Sequence, residues 1–437
     1  MRRGFFFPFT YAVLSLLALL AVPGVGHAAG FNADAATRAY LDTLQGSARV
    51  KSDAYFEGGY WIALIGTLVS VAAYWVMLRL RILPRVRDAA EGKGRGRALV
   101  VFEVAAVFLM ASTLLLLPWT IYTGFVREAR YGLLNQSFAG WLGEQVIGLF
   151  VTLVIGSLLF VVIYAVIRRM PKNWWMVSTG VVSVFLALAM LFAPVYILPL
   201  FNTYSELPQG PVRDRIVAMA KAYDVPAEHI YVYDASKQTK RISANVSGIG
   251  PSVRISLNDN LLHRATEPEI LAAVGHEMGH YVLGHVWRSW IWLTALYGLM
   301  LFLAAWAMPL ILARYGARWN IRDVADPASM PLLAGVFVVF SLMVTPITNT
   351  LVRVTERDAD VFGLDAAHEP DGFASLSMKL SEYRKIDPGP VEEALFYDHP
   401  SGATRVRLAM RWKQIHMPGA PMAKPTPIVL EPMDAQH

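Results

Sequence analysis

The sequence of 437 residues contains no cysteine, and only 16% of its residues are charged. The absence of cysteine excludes disulfides, thiolate metal ligands and a cysteine nucleophile. A metal site in this chain must therefore use His, Asp or Glu. The hydrophobic share is 55%, which is too high for an ordinary soluble domain and typical of a polytopic membrane protein.

The positive charge is also limited, with a net charge of +6. The basic residues cluster at the edges of apolar stretches and not along one soluble element. This distribution excludes the electrostatic footprint of a nucleic-acid-binding protein. The lipid bilayer is the expected partner, and no nucleic acid is expected.

Long apolar stretches are abundant, and seven of them approach the length needed to span a bilayer. They cover residues 5–22, 59–78, 99–118, 146–167, 175–198, 287–313 and 331–350. The first follows Arg2 and Arg3 and precedes a small-residue stretch ending near Ala28. It therefore fits a cleaved signal peptide and a retained first span equally well.

A polar stretch at 201–286 separates the fifth and sixth apolar stretches and predicts a small α/β unit. Helical periodicity covers 212–223, and short strands are predicted at 230–233, 243–247 and 252–257. Thr266 and Glu269 have capping-box spacing and predict the start of another helix.

That last helix carries His276-Glu277-Met278-Gly279-His280, which reads His-Glu-x-x-His. Histidines four residues apart lie on one helix face, so both imidazoles can reach one metal ion. Glu277 lies one position round the helix, where its carboxylate can activate a metal-bound water without ligating the metal. The spacing is typical of zinc sites that hydrolyse peptide bonds.

A zinc hydrolase needs three protein ligands and an open position for water. Glu356 and Asp360 follow the last apolar stretch and are also four residues apart, so they share a helix face. Glu356 can complete the ligand set. Asp360 can accept a hydrogen bond from the far nitrogen of a liganding histidine and fix its tautomer. His285, five residues beyond His280, is expected to point away from the ligands.

Taken together, these motifs resemble the integral membrane zinc metallopeptidases typified by the type 1 CAAX prenyl protease. The resemblance covers most of the chain, because matching segments occur in a fixed order. They are 51–60, 125–136, 199–210, 275–285, 353–360 and 397–405, the last with Tyr397, His399, Pro400 and Arg405.

The resemblance implies one Zn²⁺ per chain, held by His276, His280 and Glu356, with Glu277 as general base. It also implies that His399 hydrogen-bonds the substrate or the oxyanion of the tetrahedral intermediate. Asn245 lies where the family has an edge strand that pairs with the substrate backbone, and Arg405 is expected to bind substrate as well. The strand here reads Ser-Ala-Asn-Val, whereas the family usually has Ser-Asn-Ala.

The fold that follows is predominantly α: a polytopic helical barrel of about seven spans with a small zincin-like α/β catalytic domain. We expect residues 1–28 to form the signal peptide or first span. Residues 29–200 would form an N-terminal membrane domain of four helices. Residues 201–437 would form the metallopeptidase domain with two further spans.

The short loops differ in basic charge, which predicts an orientation in the membrane. One side carries Arg2, Arg3, Arg79, Arg81, Arg85, Arg87, Lys93, Arg95, Arg97, Arg168, Arg169, Lys172, Arg314, Arg318 and Arg322. The short loops of the other side carry Arg38, Arg49, Lys51, Arg127 and Arg130. The positive-inside rule then directs the metal site to the periplasmic face of a bacterial inner membrane, although eukaryotic members of the family are expected to place it toward the cytosol.

The predicted function is a membrane-embedded zinc endopeptidase acting on peptide or protein substrates, lipidated or membrane-associated. The expected biological role is CAAX-type C-terminal processing, which the family name implies, or membrane-protein quality control. The alternative is a non-catalytic membrane protein, a transporter or scaffold, with a relict metal site. Glu277 argues against it, because a structural metal site does not need a base.

Overall fold

The computed structural model describes residues 31–248, 253–422 and 425–428. The predicted signal peptide or first span lies outside the described residues. The N-terminal half of the described chain is helical and contains four long apolar helices. Its elements are α1 (Ala33–Leu41), α2 (Gly46–Arg79), α3 (Ile82–Gly92), α4 (Arg97–Ile121), α5 (Arg127–Arg130), α6 (Phe138–Arg169) and α7 (Trp174–Phe192).

A small mixed unit follows and contains the predicted sheet. Its elements are β1 (Tyr204–Glu206), α8 (Pro211–Ala222), β2 (Ile230–Tyr233), β3 (Ala244–Ser247), β4 (Arg254–Asn258), α9 (Asp259–Arg264) and α10 (Glu267–Val282). The rest of the chain is helical again. It comprises α11 (His285–Trp319), α12 (Met330–Ala367), α13 (Pro370–Lys379), α14 (Pro390–Phe396) and α15 (Gly402–His416).

Six helices of the described chain are long and apolar enough to cross a membrane: Gly46–Arg79, Arg97–Arg130, Phe138–Arg169, Trp174–Leu200, His285–Trp319 and Pro327–Ala367. Each contains one of the last six predicted stretches. Only 11% to 33% of each apolar window is buried inside the protein. The remaining apolar surface is suited to lipid, and helices satisfy their own backbone hydrogen bonds there.

The sheet has the strand order β1-β2-β4-β3. β2 and β4 are parallel, whereas β1 and β3 pair antiparallel with their neighbours. Ile230, Ile255 and Leu257 are fully buried in the core between the sheet and α10. In the part of the chain that the structure describes, β3 is an edge strand with one side unpaired.

The helix α10 begins as the capping box predicts. The Thr266 backbone N–H donates to Glu269 Oε2 over 2.7 Å, and Lys379 Nζ donates to the same oxygen over 2.6 Å. The helix ends before Gly284, whose φ of +65° is a left-handed conformation that glycine adopts at little cost. A connection of two residues, Leu283 and Gly284, therefore turns the chain from α10 into the membrane helix α11.

Candidate metal centre

The structure brings His276, His280 and Glu356 together between α10 and α12. His276 Nε2 lies 3.1 Å from His280 Nε2 and 3.2 Å from Glu356 Oε2. His280 Nε2 lies 3.5 Å from Glu356 Oε1. One ligand atom from each residue therefore points at a common centre.

These separations fit zinc. Ligands at about 2.0–2.1 Å from a tetrahedral zinc ion lie about 3.3 Å from one another. The observed distances of 3.1, 3.2 and 3.5 Å fall on either side of this value. Two neutral imidazoles and one carboxylate are also a donor set that zinc prefers, with the fourth position left to solvent or substrate.

The far nitrogen of His276 is held by a buried ion pair. His276 Nδ1 donates to Asp360 Oδ1 over 2.8 Å, and Arg405 Nε donates to Asp360 Oδ2 over 3.0 Å. Asp360 is fully buried and Arg405 is 8% exposed. Burial lowers the pKa of His276, but the hydrogen bonds to Asp360 and Glu356 outweigh burial and raise it to about 9. A metal ion that binds His276 below this pH would therefore have to displace a proton.

Arg405 has contacts in addition to the substrate binding that was expected of it. Its guanidinium borders the cavity at the ligands, but its hydrogen bonds go to Asp360, and Nη2 lies 3.4 Å from His276 Nδ1. We interpret this arrangement as a positioning contact behind the metal ligands.

His285 lies against His280, contrary to the sequence-based expectation. The two Nδ1 atoms are 3.0 Å apart, and His285 is 2% exposed. The left-handed turn at Gly284 redirects the chain, so helical spacing from His280 no longer sets the direction of this side chain. When His280 ligates through Nε2, its Nδ1–H can donate to His285 Nδ1, which fixes the His280 ring.

Glycines allow α10 and α12 to approach closely enough to form the site. A Cβ at Gly363 would lie 2.7 Å from the His276 backbone nitrogen. A Cβ at Gly279 would lie 3.1 Å from the Cα of Ala359. Backbone packs directly on backbone here, so the position of Glu356 relative to the two histidines depends on the absence of side chains at these crossings.

Beside the ligand cluster is a cavity of about 300 Å³ lined by Glu277, His399, Ser243 and Ala244. Burial raises the pKa of the Glu277 carboxyl to about 7, although His276 opposes this effect. A carboxyl with this pKa can both accept and return a proton near neutral pH.

His399 reaches the ligands from the opposite wall. Its Nε2 lies 3.3 Å from Glu356 Oε2, and its Nδ1 donates to Asp398 Oδ1 over 2.8 Å. The helix α15 and the loop before it therefore bring His399 and Arg405 to the site from 40 or more residues beyond Glu356. In the structure His399 borders the same cavity as Glu277.

Asn245 lies on the edge strand β3, opposite Ser256 of β4. Its neighbours Ser243 and Ala244 line the cavity, whereas Asn245 is outside the cavity lining. The strand itself thus borders the site, while the Asn245 side chain is not brought to the metal ligands.

Two family models match this chain over almost all of its described length. Peptidase family M48 matches residues 206–413, and the CAAX prenyl protease N-terminal family, with five membrane helices, matches residues 37–203. The chain belongs to peptidase family M48. M48 membership, together with the apolar helices, makes it a membrane-embedded peptidase.

Curated M48 relatives match most of this chain. An uncharacterized metalloprotease of Bacillus subtilis (strain 168), YhfN, is 28% identical over 353 residues, or 80% of this chain and 82% of the relative. CAAX prenyl protease 1 of Saccharomyces cerevisiae is 23% identical over 385 residues, or 82% of this chain and 84% of the relative. The crystal structure of Ste24p from S. mikatae matches with a TM-score of 0.71 at 19% identity, covering 86% of this chain and 95% of that chain. This last likeness shows the shared fold.

Two residues that position the metal ligands, Gly363 and His285, are not apparent from the metal-binding motif in the sequence. Gly363 follows Asp360 by three residues on the same helix, and its small size is the available sequence signal. His285 follows the glycine that ends α10, and that glycine signals that helical spacing should not be continued through it.

Proposed function

We propose that this chain is a zinc metalloendopeptidase that cuts peptides or proteins at a membrane surface. The observation that carries the proposal is the convergence of three ligand atoms with Glu277 at one cavity beside an edge strand. His276, His280 and Glu356 hold the zinc ion, one per chain. Bound zinc supplies Lewis acidity, which polarises a carbonyl and lets water lose a proton near neutral pH.

Glu277 acts as the general base and then as the general acid. Its carboxylate accepts the proton of the attacking water and later delivers a proton to the leaving amine. The pKa of about 7 that burial gives this carboxyl suits both steps. Asp360 and Arg405 keep the His276 ring fixed while the reaction proceeds.

His399 stabilises the negative charge that develops on the carbonyl oxygen. The hydrogen bond between Nδ1 and Asp398 orients the His399 ring so that Nε2 faces the ligand cluster. The position of Nε2, 3.3 Å from a Glu356 oxygen, is close to where substrate would meet the ligands.

The substrate binds in an extended conformation along β3. An unpaired strand edge offers backbone N–H and C=O groups to a peptide, and such pairing gives little sequence selectivity. We propose lipidated or membrane-associated proteins as substrates, with CAAX-type C-terminal processing or membrane-protein quality control as the role. The first of these follows the names of the relatives.

The peptidase domain comprises residues 201–437 with its two membrane helices, and residues 29–200 form the N-terminal membrane domain.

The short-loop charges support a bacterial inner membrane location with the site toward the periplasm. Because the chain has no cysteine, single-cysteine variants can test this orientation without background. In spheroplasts, an impermeant maleimide should label Val391→Cys, at a side chain 72% exposed near the site, and leave Lys93→Cys unlabelled. The reverse pattern would invert the orientation.

The activity is tested with purified Glu277→Gln protein. It should retain one zinc per chain by elemental analysis and lose hydrolysis of an unmodified reporter peptide. Glu267→Gln is the matched control, because Glu267 is on the same helix but pairs with Arg215 at the surface over 2.9 Å. Full hydrolysis by Glu277→Gln would refute the proposal. A parallel assay with a farnesylated CAAX peptide tests the lipid-processing role, which fails when the unmodified peptide is cut equally well.

A further inference from the structure

A second cavity lies at the opposite end of the membrane helices from the metal centre. Its volume is about 690 Å³, and it is bordered by the first residues of α4 and α7 and the last residues of α6. We call this region the arginine-rich end: the connections 79–98, 168–174 and 314–327. The metal centre is at the other end of these spans, so the second cavity serves a separate purpose.

Five cations line the cavity, and three of them lack acidic partners in the described residues. Arg97, Arg168 and Lys172 border it, and none of the three makes a side-chain hydrogen bond or ion pair within residues 31–248, 253–422 and 425–428. Two further lining cations are paired: Arg95 with Glu103, and Arg322 with Glu91 over 2.6 Å.

Two of the three acidic residues that line the cavity are already paired with other cations. Glu91 is used by Arg322, and Asp326 by the buried Arg87. Asp323 accepts a hydrogen bond from the Asp326 backbone N–H over 2.9 Å. That backbone hydrogen bond leaves the charge of Asp323 at the cavity, so in the described chain three unpaired lining cations face one unpaired lining carboxylate.

Two helix N-termini add to the positive potential. The helix α4 begins at Arg97 after Gly96, and α7 begins at Trp174 after Asn173. Neither terminus has a side-chain cap hydrogen bond or an acidic residue in its first turn. Their backbone N–H groups and helix dipoles therefore favour an anion at this place.

The other wall of the cavity is apolar and belongs to the membrane helices. Val100, Ile167, Ala305 and Pro309 line it, and Trp174 lies at the boundary. A small soluble anion would leave this apolar wall in water. A ligand with a phosphate and a hydrocarbon chain would cover both parts, because its chain continues into the bilayer beside α4, α6 and α11.

We propose that this cavity binds the headgroup phosphate of an anionic phospholipid from the leaflet at the arginine-rich end. Arg97, Arg168 and Lys172 contact the phosphate, and the acyl chains lie along the apolar wall. The site is independent of the metal centre and of the peptidase activity.

The test compares two triple variants of the purified, detergent-solubilised full chain. The site variant carries Arg97→Gln, Arg168→Gln and Lys172→Gln. The control carries Arg85→Gln, Lys93→Gln and Arg169→Gln, which removes the same charge from exposed positions at the same end but outside the cavity lining. Short-chain phosphatidylglycerol is titrated into each, with phosphatidylcholine of equal chain length as the neutral lipid. Binding is read by native mass spectrometry and by the shift in Tm.

Phosphatidylglycerol should bind the wild-type chain and the control with similar affinity and bind the site variant roughly 100-fold more weakly, since each cation near an anionic lipid contributes about fivefold. The Tm without lipid verifies that the site variant is folded. The conservative double variant Arg97→Lys with Arg168→Lys, which keeps the charges, should bind the lipid like the wild-type chain. Equal weakening of both triple variants, or none in either, would overturn the site. Inorganic phosphate or glycerol phosphate binding as tightly as the lipid would assign the cavity to a soluble anion and overturn the proposal.

Discussion

The two ends of the membrane helices differ in whether their charged side chains are paired within the protein. At the metal-site end the buried charges are paired inside the protein, as in Asp360 with Arg405 and Glu269 with Lys379. At the arginine-rich end one deep pair, Arg87 with Asp326, is also internal. Three cations of the second cavity, Arg97, Arg168 and Lys172, have no acidic partner in the described chain, however.

The comparison shows what burial does to a charged group. A charge removed from water is costly unless a partner compensates it, so the paired residues at the metal-site end hold each other in one geometry. A charge at the membrane surface keeps its hydration and stays available to a ligand from outside. The first arrangement suits a fixed catalytic centre, and the second suits a mobile lipid.

The largest expected effect comes from removing a ligand at the metal-site end. Glu356→Gln should reduce zinc to well below one per chain and peptide hydrolysis to the background of the metal-free protein, because three ligands are needed. Asp358→Asn is the control: it is on the same helix and faces Arg288 over 3.0 Å. Elemental analysis and a peptide assay give the readouts. Stoichiometric zinc in Glu356→Gln would show that the ligand set is different.

The second-largest effect on stability and hydrolysis is expected from a substitution that pushes α10 and α12 apart and leaves every charged group in place. Gly363→Ala introduces a Cβ 2.7 Å from the His276 backbone nitrogen, so α10 and α12 must move apart. We expect destabilisation of about 1–3 kcal/mol and a loss of activity of about 100-fold from the misplaced ligands. Gly335→Ala on the same helix is the control, since its nearest neighbour would be 3.8 Å away. Tm and hydrolysis are measured, and equal behaviour of the two variants would contradict the packing argument.

An intermediate effect is expected from the pair behind His276. Asp360→Asn removes the charge that holds the His276 ring, and such changes weaken metal binding about 10- to 100-fold. The lipid affinity of the arginine-rich end should not change. A competition titration with a zinc chelator measures the first quantity and native mass spectrometry the second. Arg411→Lys, at an exposed position on α15, is the control. Unaltered zinc affinity in Asp360→Asn would show that Asp360 does not position His276 for metal binding.

The smallest expected effect is a difference in pH dependence between the two ends. The pKa of His276 is raised to about 9 in the metal-free site, so zinc must displace a proton at any lower pH. Apparent zinc affinity should then rise about tenfold per pH unit from pH 6 to 8 and level off near 9. Phosphatidylglycerol binding should stay constant over this range, because arginine and lysine remain charged. A flat zinc profile would show that the metal-free site holds no such proton.

The parts of the fold and of the site that depend on local helix geometry could be predicted from the sequence. Histidines 276 and 280 share a face because they are four residues apart, and the same holds for Glu356 and Asp360. The membrane helices follow from apolar length alone, and the capping box marks the start of α10. None of these predictions requires knowledge of how helices cross.

The remaining features depend on contacts between distant segments. The placement of Arg405 beside Asp360 follows from how α15 packs on α12 and α13, which no spacing rule gives. His285 was misjudged because the helical period was carried across Gly284, where the backbone is left-handed. The second cavity needs three chain segments to meet at one place, and its cations read only as an orientation signal in the sequence.

Gly284 and the continuity of α12 have a further consequence for what can be cut. The metal-binding helix joins a membrane helix through two residues, Leu283 and Gly284, and Glu356 lies on a helix that is also long enough to span the membrane. At a rise of about 1.5 Å per residue, Glu356 is about 9 Å beyond the end of its apolar stretch near residue 350. In the proposed peptidase, a bond cut at the metal centre would lie at a fixed height above the hydrocarbon. Such an enzyme would select the bond that it cuts by the distance of that bond from the point where the substrate leaves the membrane.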